Sequence, residues 1–258
     1  MNIVVLVKQV PDSGAERQLT ADGTIDRENA TRVINEMDEY AIEEGLRLAD
    51  TTGGEVTLVT MGPDEATESI RKALSMGAHK ALHVLDPALH GSCALATSRV
   101  LAQALQTINP DIIICGAEST DGRVGALPAM LAERLNITAL TGARKLTVED
   151  GSATIERQLD DGYQVVQGSL PAIVSVWDTI NEPRYPSFRG IMQAKSKPVT
   201  TLSLADLNVD PSTVGSAGAS TEVVQHAPRP PRQAGVKIVD EGDAGDKLVE
   251  FLLAEKLV

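Results

Sequence analysis

The residues best suited to chemistry in this chain stand just beyond short apolar runs. Leu6-Val7-Lys8, Met61-Gly62-Pro63 and Gly116-Ala117-Glu118 each close such a run. Ligands of open parallel sheets bind in the crevice beyond the carboxyl ends of the strands, where strand order reverses. Ser119-Thr120-Asp121-Gly122-Arg123-Val124-Gly125 then leads, small and polar, into an apolar helix from Ala126 to Leu135. Backbone N–H groups in such a loop and at the helix start can hold a phosphate, with Arg123 assisting. An ordinary turn between strand and helix would use the same residue types, and spacing leaves both readings open. Neither the dinucleotide fingerprint G-x-G-x-x-G nor the Walker G-x-x-x-x-G-K-[ST] is present.

Other reactive side chains are dispersed. His79, His83, His90 and His226 lack metal spacing and read as surface or structural histidines. No Ser/His/Asp or Cys/His order points to a nucleophile. Cys115 falls on a buried run and reads as a small hydrophobe. With Cys93 it forms no CxxC, a reducing-compartment pattern without a zinc or iron–sulfur framework. Glu36, Glu39, Glu43 and Glu44 read as the solvated face of a helix, whereas Asn35 and Asp38 near its start can reach a ligand. Arg157, Asp160, Asp161 and Arg184 read as exposed charges.

The elements that must position these residues follow from periodicity. Ile3 to Val7, Val56 to Met61, Lys80 to Leu85 and Ile112 to Cys115 are continuous apolar runs, the mark of strands buried on both faces. Between them fall helical patterns from Val33 to Ala49, from Glu65 to Met76 with Gly77 as C-cap, and from a Ser92 cap through Ile108. Alternation at this spacing predicts right-handed βαβ crossovers and a parallel sheet flanked by helices. After Arg144 the rhythm changes: Lys145 to Val148, an Asp150-Gly151 turn and Ala153 to Leu159 predict a hairpin. Tyr163 to Gln167 and Ala172 to Trp177 add two strands, which the pattern assigns to an antiparallel extension. From Asn181 regularity stops: Asn181 to Gly190 reads as a Pro/Arg/aromatic loop and Pro211 to Gly235 as an extended arm, and Lys247 to Val258 can form a short helix. The expected division is a core over 1–195, including a loop segment 181–195, and an arm over 196–258.

Composition narrows the function. At 258 residues, 42% hydrophobic and 23% charged, the chain can bury a full core without disulfides or metals. A net charge of −13 argues against nucleic-acid binding. No stretch approaches the ~20 apolar residues of a membrane span, and no signal segment is expected at the start, so a cytoplasmic protein is expected. Aromatic residues are few: Trp177, Phe188, Phe251 and three tyrosines. Any redox chemistry must therefore be carried by a cofactor.

Several segments resemble one family. Ile155-Glu156-Arg157-Gln158-Leu159-Asp160-Asp161-Gly162-Tyr163-Gln164-Val165-Val166, followed by Leu170-Pro171-Ala172-Ile173-Val174, resembles the signature of electron-transfer flavoprotein β (small) subunits, with Ser175 a mild departure. Val7 to Asp12 resembles the family's first strand and loop, and Ser69 to Ala78 its second helix. Asn181 to Lys195 is similar to its partner-recognition segment, and Gln233 to Lys237 to the start of its C-terminal segment. The resemblance runs in order along nearly the whole chain. It implies a Rossmann-like fold of the adenine-nucleotide-binding type and a heterodimer whose α subunit holds most of the FAD. It further implies that the β subunit carries a structural AMP, that its C-terminal arm and terminal helix pack on the α subunit, and that the complex is a non-enzymatic carrier of electrons from dehydrogenases to a quinone reductase or another acceptor.

By position, the AMP site would comprise Leu6, Val7, Asn35, Glu36, Met37, Asp38, Met61, Gly62, Gly116, Asp121, Gly122, Arg123, Val124 and Gly125. These include the strand ends picked above. The loop Asp121 to Gly125 is shorter than in many relatives, and Glu36 follows Asn35 where the family often has proline. Arg184, Tyr185, Phe188, Ile191 and Met192 would meet the redox partner. Phe188 stands where the family carries an apolar anchor, often leucine; a packed core role is the other reading of that residue. Two alternatives remain: a flavin-bifurcating or nitrogen-fixation-type complex with a second FAD and NADH oxidation, and a stand-alone nucleotide-sensing α/β protein.

Overall fold

A computed structural model describes residues 1–227, 230–231, 235 and 237–258. In chain order the strands are β1 (Asn2–Leu6), β2 (Gln9–Pro11), β3 (Arg32–Ile34), β4 (Glu55–Met61), β5 (Lys80–Val84), β6 (Ile112–Gly116), β7 (Thr138–Glu149), β8 (Ser152–Leu159), β9 (Gly162–Ser169), β10 (Ala172–Val176) and β11 (Val199–Leu202). The helices are α1 (Glu36–Thr52), α2 (Ala66–Met76), α3 (Ala94–Ile108), α4 (Leu127–Leu135), α5 (Phe188–Ala194) and α6 (Ala244–Ala254).

Among the described residues the main sheet has nine strands in the order β11-β5-β4-β1-β6-β10-β7-β8-β9. All neighbours pair in parallel except β7–β8 and β8–β9. Two-residue alternation splits each apolar run between two cores. Ile3 and Val5 of β1 join Ile42, Leu46, Ile70 and Leu74 from α1 and α2. Val4 and Leu6 join Val100, Leu105 and Leu131 from α3 and α4. Each such buried aliphatic side chain contributes about 1.5–3 kcal/mol. From β1 the chain runs outward to β4 and β5, then returns to the other side of β1 as β6. Strand order therefore reverses between β1 and β6, which places the ligand crevice there.

The expected α/β architecture with a parallel sheet is what the chain adopts, with corrections in detail. Val33 and Ile34 are extended, not helical: β3 pairs antiparallel with β2, and α1 begins at Glu36. Two adjacent β-branched side chains favour that extended pairing. Ser92 does not cap α3, which starts after Cys93; its Oγ accepts from Gly215 N at 2.8 Å. Ala172 to Val176 is not part of the antiparallel extension. All five residues are buried, and β10 inserts between β6 and β7, parallel to both. The extension is β7–β8–β9, its first turn made by Asp150 and Gly151, both at positive φ (49° and 73°).

Regular structure continues past Asn181. α5 follows Ser187, whose Oγ accepts from Gly190 N, and β11 pairs with β5 at the sheet edge. Leu204, Leu207, Val209 and Val214 are buried in the core formed with α3 and α4. Contacts divide the chain at Val224: Met1–Val224 forms one compact unit and Gln225–Val258 another, so 196–224 packs with the first. The second unit contains α6, three residues longer at its start than the sequence pattern; Gln233, Ala234 and Val236 of the family-like segment lie outside the described residues. Among the described residues, no helix is long and apolar enough to cross a membrane.

Candidate functional site

The crevice between β1 and β6 is closed on one side by the first turn of α1. Asn35 occupies the helix N-cap position, yet its side chain makes no cap bond. Its Nδ2 donates to Asp38 Oδ1 at 2.9 Å and to the Glu118 carbonyl at 3.0 Å, and its Oδ1 accepts from Thr120 N at 2.9 Å. The amide thus ties α1 to the loop after β6. Asp38 is buried and accepts from Lys8 N at 2.8 Å through Oδ2. Burial pushes the Asp38 carboxyl up to about 7, against the opposing pull of the Asn35 amide, the Lys8 N–H and charge, and the Gly116 N–H. Both side chains, expected to reach a ligand, also hold the strand ends together.

Gly116 is required by close approach. A Cβ there would lie 2.6 Å from Met37 Cβ and 2.7 Å from Asp38 Oδ1. Any larger residue would push α1 off β6.

Asp121 organises the loop. Its side chain is fully inaccessible to solvent, with Lys8 Nζ at 2.8 Å from Oδ1 and Arg27 Nη2 at 2.5 Å from Oδ2. Burial alone would raise its pKa, but the Lys8 and Arg27 charges and the Lys8 and Ser119 hydrogen bonds hold it far below the usual carboxylate range. Oδ1 also accepts from Gly122 N at 2.7 Å, and Arg123 N closes a turn onto the Ser119 carbonyl at 2.9 Å. Arg123 and Gly125 both have positive φ, 48° and 63°. Among the described residues, the N–H groups of Val124, Gly125 and Ala126 donate to no protein acceptor. They lead directly into α4, whose first turn has no side-chain cap. The buried Thr120 Oγ1 and Arg27 Nη1 also lack partners. Donors without acceptors at a helix start, beside two partly exposed cations, suit an anion.

The other sequence-selected positions come together here in unequal ways. Leu6 and Val7 reach the crevice through backbone, since their side chains are buried in the two cores. Gly62 sits at the end of β4, its carbonyl 3.0 Å from His83 Nε2. Met61 packs on the core, and Glu36 faces outward, accepting from Ser13 Oγ at 2.5 Å. Sequence reasoning noted Lys8 only as a strand end and missed Arg27. Lys8 was legible because it directly follows β1, whereas Arg27 lies in the irregular stretch 12–31, which carries no periodic signal. An open cleft of about 290 Å³ continues from Gly125 past the ends of β6 and β10 and along β7 at Thr141 and Gly142. Glu118, Gly142, Arg157, Gln158 and Trp177 help to line it. Arg157, read from sequence as an exposed charge, donates from Nε to the Thr141 carbonyl at 2.9 Å.

A second candidate surface lies on the segment 181–195. Tyr185 is 93% and Phe188 81% exposed, and Ile191 and Met192 are also exposed. Phe188 is therefore no core residue. Arg184, by contrast, is half-buried and ion-paired to Glu43 and Asp50.

Fold and site together define an α/β protein with a switch-point crevice suited to an anion. The sequence profile of the electron transfer flavoprotein domain matches residues 22–207. An electron transfer flavoprotein subunit beta of Mycobacterium bovis is 49% identical over 264 aligned residues, covering 100% of this chain and 99% of the relative. One of Thermoanaerobacterium thermosaccharolyticum is 37% identical, with 100% of both chains covered. The caffeyl-CoA reductase-Etf complex subunit CarD of Acetobacterium woodii is 33% identical over 93% of this chain and 92% of its own. The chain belongs to the electron transfer flavoprotein family, on its β-subunit side.

Proposed function

We propose that the protein is the non-catalytic β subunit of a heterodimeric electron carrier. Its α partner holds FAD, which supplies the redox chemistry when bound, and the switch-point crevice of this chain holds AMP. Dehydrogenases deliver electrons to the complex, and a quinone reductase or another acceptor removes them. The observation that carries the nucleotide assignment is the loop from Asp121 to Ala126. Asp121 gathers Lys8 and Arg27 while the Val124, Gly125 and Ala126 N–H groups remain without acceptors.

In this arrangement the chain's residues bind and orient. Lys8 and Arg27 neutralise phosphate charge at the mouth of the crevice, Asn35 and Asp38 fix the strand ends, and Met61 and Gly62 form the floor. Tyr185, Phe188, Ile191 and Met192 meet the electron-donating protein, and the 225–258 unit packs on the α subunit. We place the complex in the cytoplasm, in keeping with two free cysteines.

A bifurcating complex is the second reading. It draws on the Acetobacterium relative, named for a reductase complex, and on the open cleft beside Gly125, which extends the crevice beyond the phosphate loop. Counting cofactors in the purified heterodimer after co-expression with the α subunit decides between them. One FAD and one AMP per heterodimer supports the carrier; two FAD and no AMP overturns it in favour of bifurcation.

A further inference from the structure

The exposed apolar row on 185–192 is carried by a segment pinned at both ends, and Arg184 is the principal pin. Its Nε donates to Glu43 Oε2 at 2.7 Å and its Nη2 to Oε1 at 3.2 Å. The Arg184 backbone N–H adds a bond to Oε2 at 3.2 Å, and Nη2 also reaches Asp50 Oδ2 at 3.2 Å. Glu43 is only 4% exposed, on the face of α1 that meets the segment. Asn181 adds bonds from Nδ2 to the Tyr40 carbonyl and to Glu44 Oε2, both at 3.0 Å.

At the other end the anchor is α2. Arg71 Nη1 donates to the Ala194 and Lys197 carbonyls at 2.8 Å each, and Lys197 Nζ caps the Leu74 and Ala78 carbonyls at 2.9 and 2.6 Å. Gly190 packs so closely on α2 that a Cβ would meet the Ser75 carbonyl oxygen at 2.4 Å. Between the two anchors Tyr185 and Phe188 project into solvent. Ordering a loose backbone on docking costs about 1–2 kcal/mol per residue, so a segment already fixed binds more tightly with the same contacts.

We propose that Arg184 is a positioning residue rather than a partner contact: through Glu43 on α1 it fixes the segment so that Phe188 is presented to the electron-donating protein. This rests on the docking reading of Phe188 above. A bidentate guanidinium–carboxylate pair gives directional restraint that a lysine does not reproduce. Glu43 is buried on α1 and cannot itself touch a partner, which makes its variant the discriminating one.

The test uses the assembled heterodimer with a partner dehydrogenase. Glu43→Gln and Arg184→Ala are each expected to raise the KM for the dehydrogenase about tenfold, the equivalent of ~1.4 kcal/mol, with kcat and artificial-dye reduction unchanged. Amide hydrogen exchange over 185–192 should quicken in both while α3 and α4 keep their protection. Arg184→Lys should recover part of the KM. If Arg184→Ala fails to fold because Glu43 keeps only Arg47 as a partner, at 2.9 Å, the double variant Glu43→Gln with Arg184→Gln removes both charges and should show the same KM rise. Phe188→Ala serves as the reference. An unchanged KM in Phe188→Ala overturns the docking reading and the clamp with it. A raised KM in Phe188→Ala beside an unchanged KM in Glu43→Gln overturns the clamp alone. A KM rise in Arg184→Ala without one in Glu43→Gln makes Arg184 a direct contact and also overturns it.

Discussion

Replacing Asp38 by asparagine keeps the shape of the side chain and removes the ionisable group buried between α1 and the strand ends. Burial pushes that carboxyl up to about 7, from 3.8 in an unfolded chain. Between those values the folded protein holds a proton that the unfolded chain has released. Stability therefore falls as pH rises through the window and levels off above it. One proton contributes ~1.4 kcal/mol per pH unit, which integrates to about 2–3 kcal/mol lost between pH 5 and pH 8. For a domain of this size that is a melting-temperature drop of about 5–10 °C. Glu44, also raised, chiefly by burial, adds a change of the same sign. Carboxylates held low, such as Asp121 and Glu43, act at lower pH and do not enter the window. Thermal unfolding at half-unit steps from pH 5 to pH 8 should show the decline in the parent chain and a much flatter line in Asp38→Asn. Adding Glu44→Gln should flatten it further. A variant with the parent's full slope would refute the assignment of that slope to Asp38.

Three further outcomes are expected. Gly116→Ala should cost about 1–3 kcal/mol, because the new methyl meets Met37 and Asp38 inside contact distance; a melting temperature equal to the parent's would count against the tight junction of α1 and β6. Asp121→Ala and Gly125→Glu should each lower the AMP content of the purified heterodimer, the first by releasing Lys8 and Arg27, the second by adding bulk and negative charge beside the free N–H groups; full AMP content in both would move the nucleotide elsewhere. Ending the chain after Val224 should leave the α/β unit folded and weaken association with the α subunit, whereas ending it after Asp210 removes the buried Val214 and should lower the melting temperature; circular dichroism and gel filtration with the α subunit distinguish the two.

Much of the architecture was legible in the chain itself. Ile3 to Val7, Val56 to Met61 and Ile112 to Cys115 are runs that only a sheet covered on both faces can bury, and helical patterns between them require parallel crossovers. That logic located the switch-point crevice and the loop at Asp121 to Gly125. Local pattern could not say where a strand inserts: Ala172 to Val176 follows a hairpin in sequence, yet its five buried residues find their partners in β6 and β7, far away along the chain. Nor could it assign individual side chains. Asn35, Asp38 and Arg184 are polar residues at plausible contact positions. Whether such a group faces a ligand or is satisfied internally depends on which donors and acceptors the fold brings within about 3 Å. Lys8 N, Thr120 N and the Glu43 carboxylate arrive there from 30, 85 and 141 residues away. Apolar periodicity is a local property and survives in the sequence; the pairing of buried polar groups is a long-range one, and tertiary structure alone decides it.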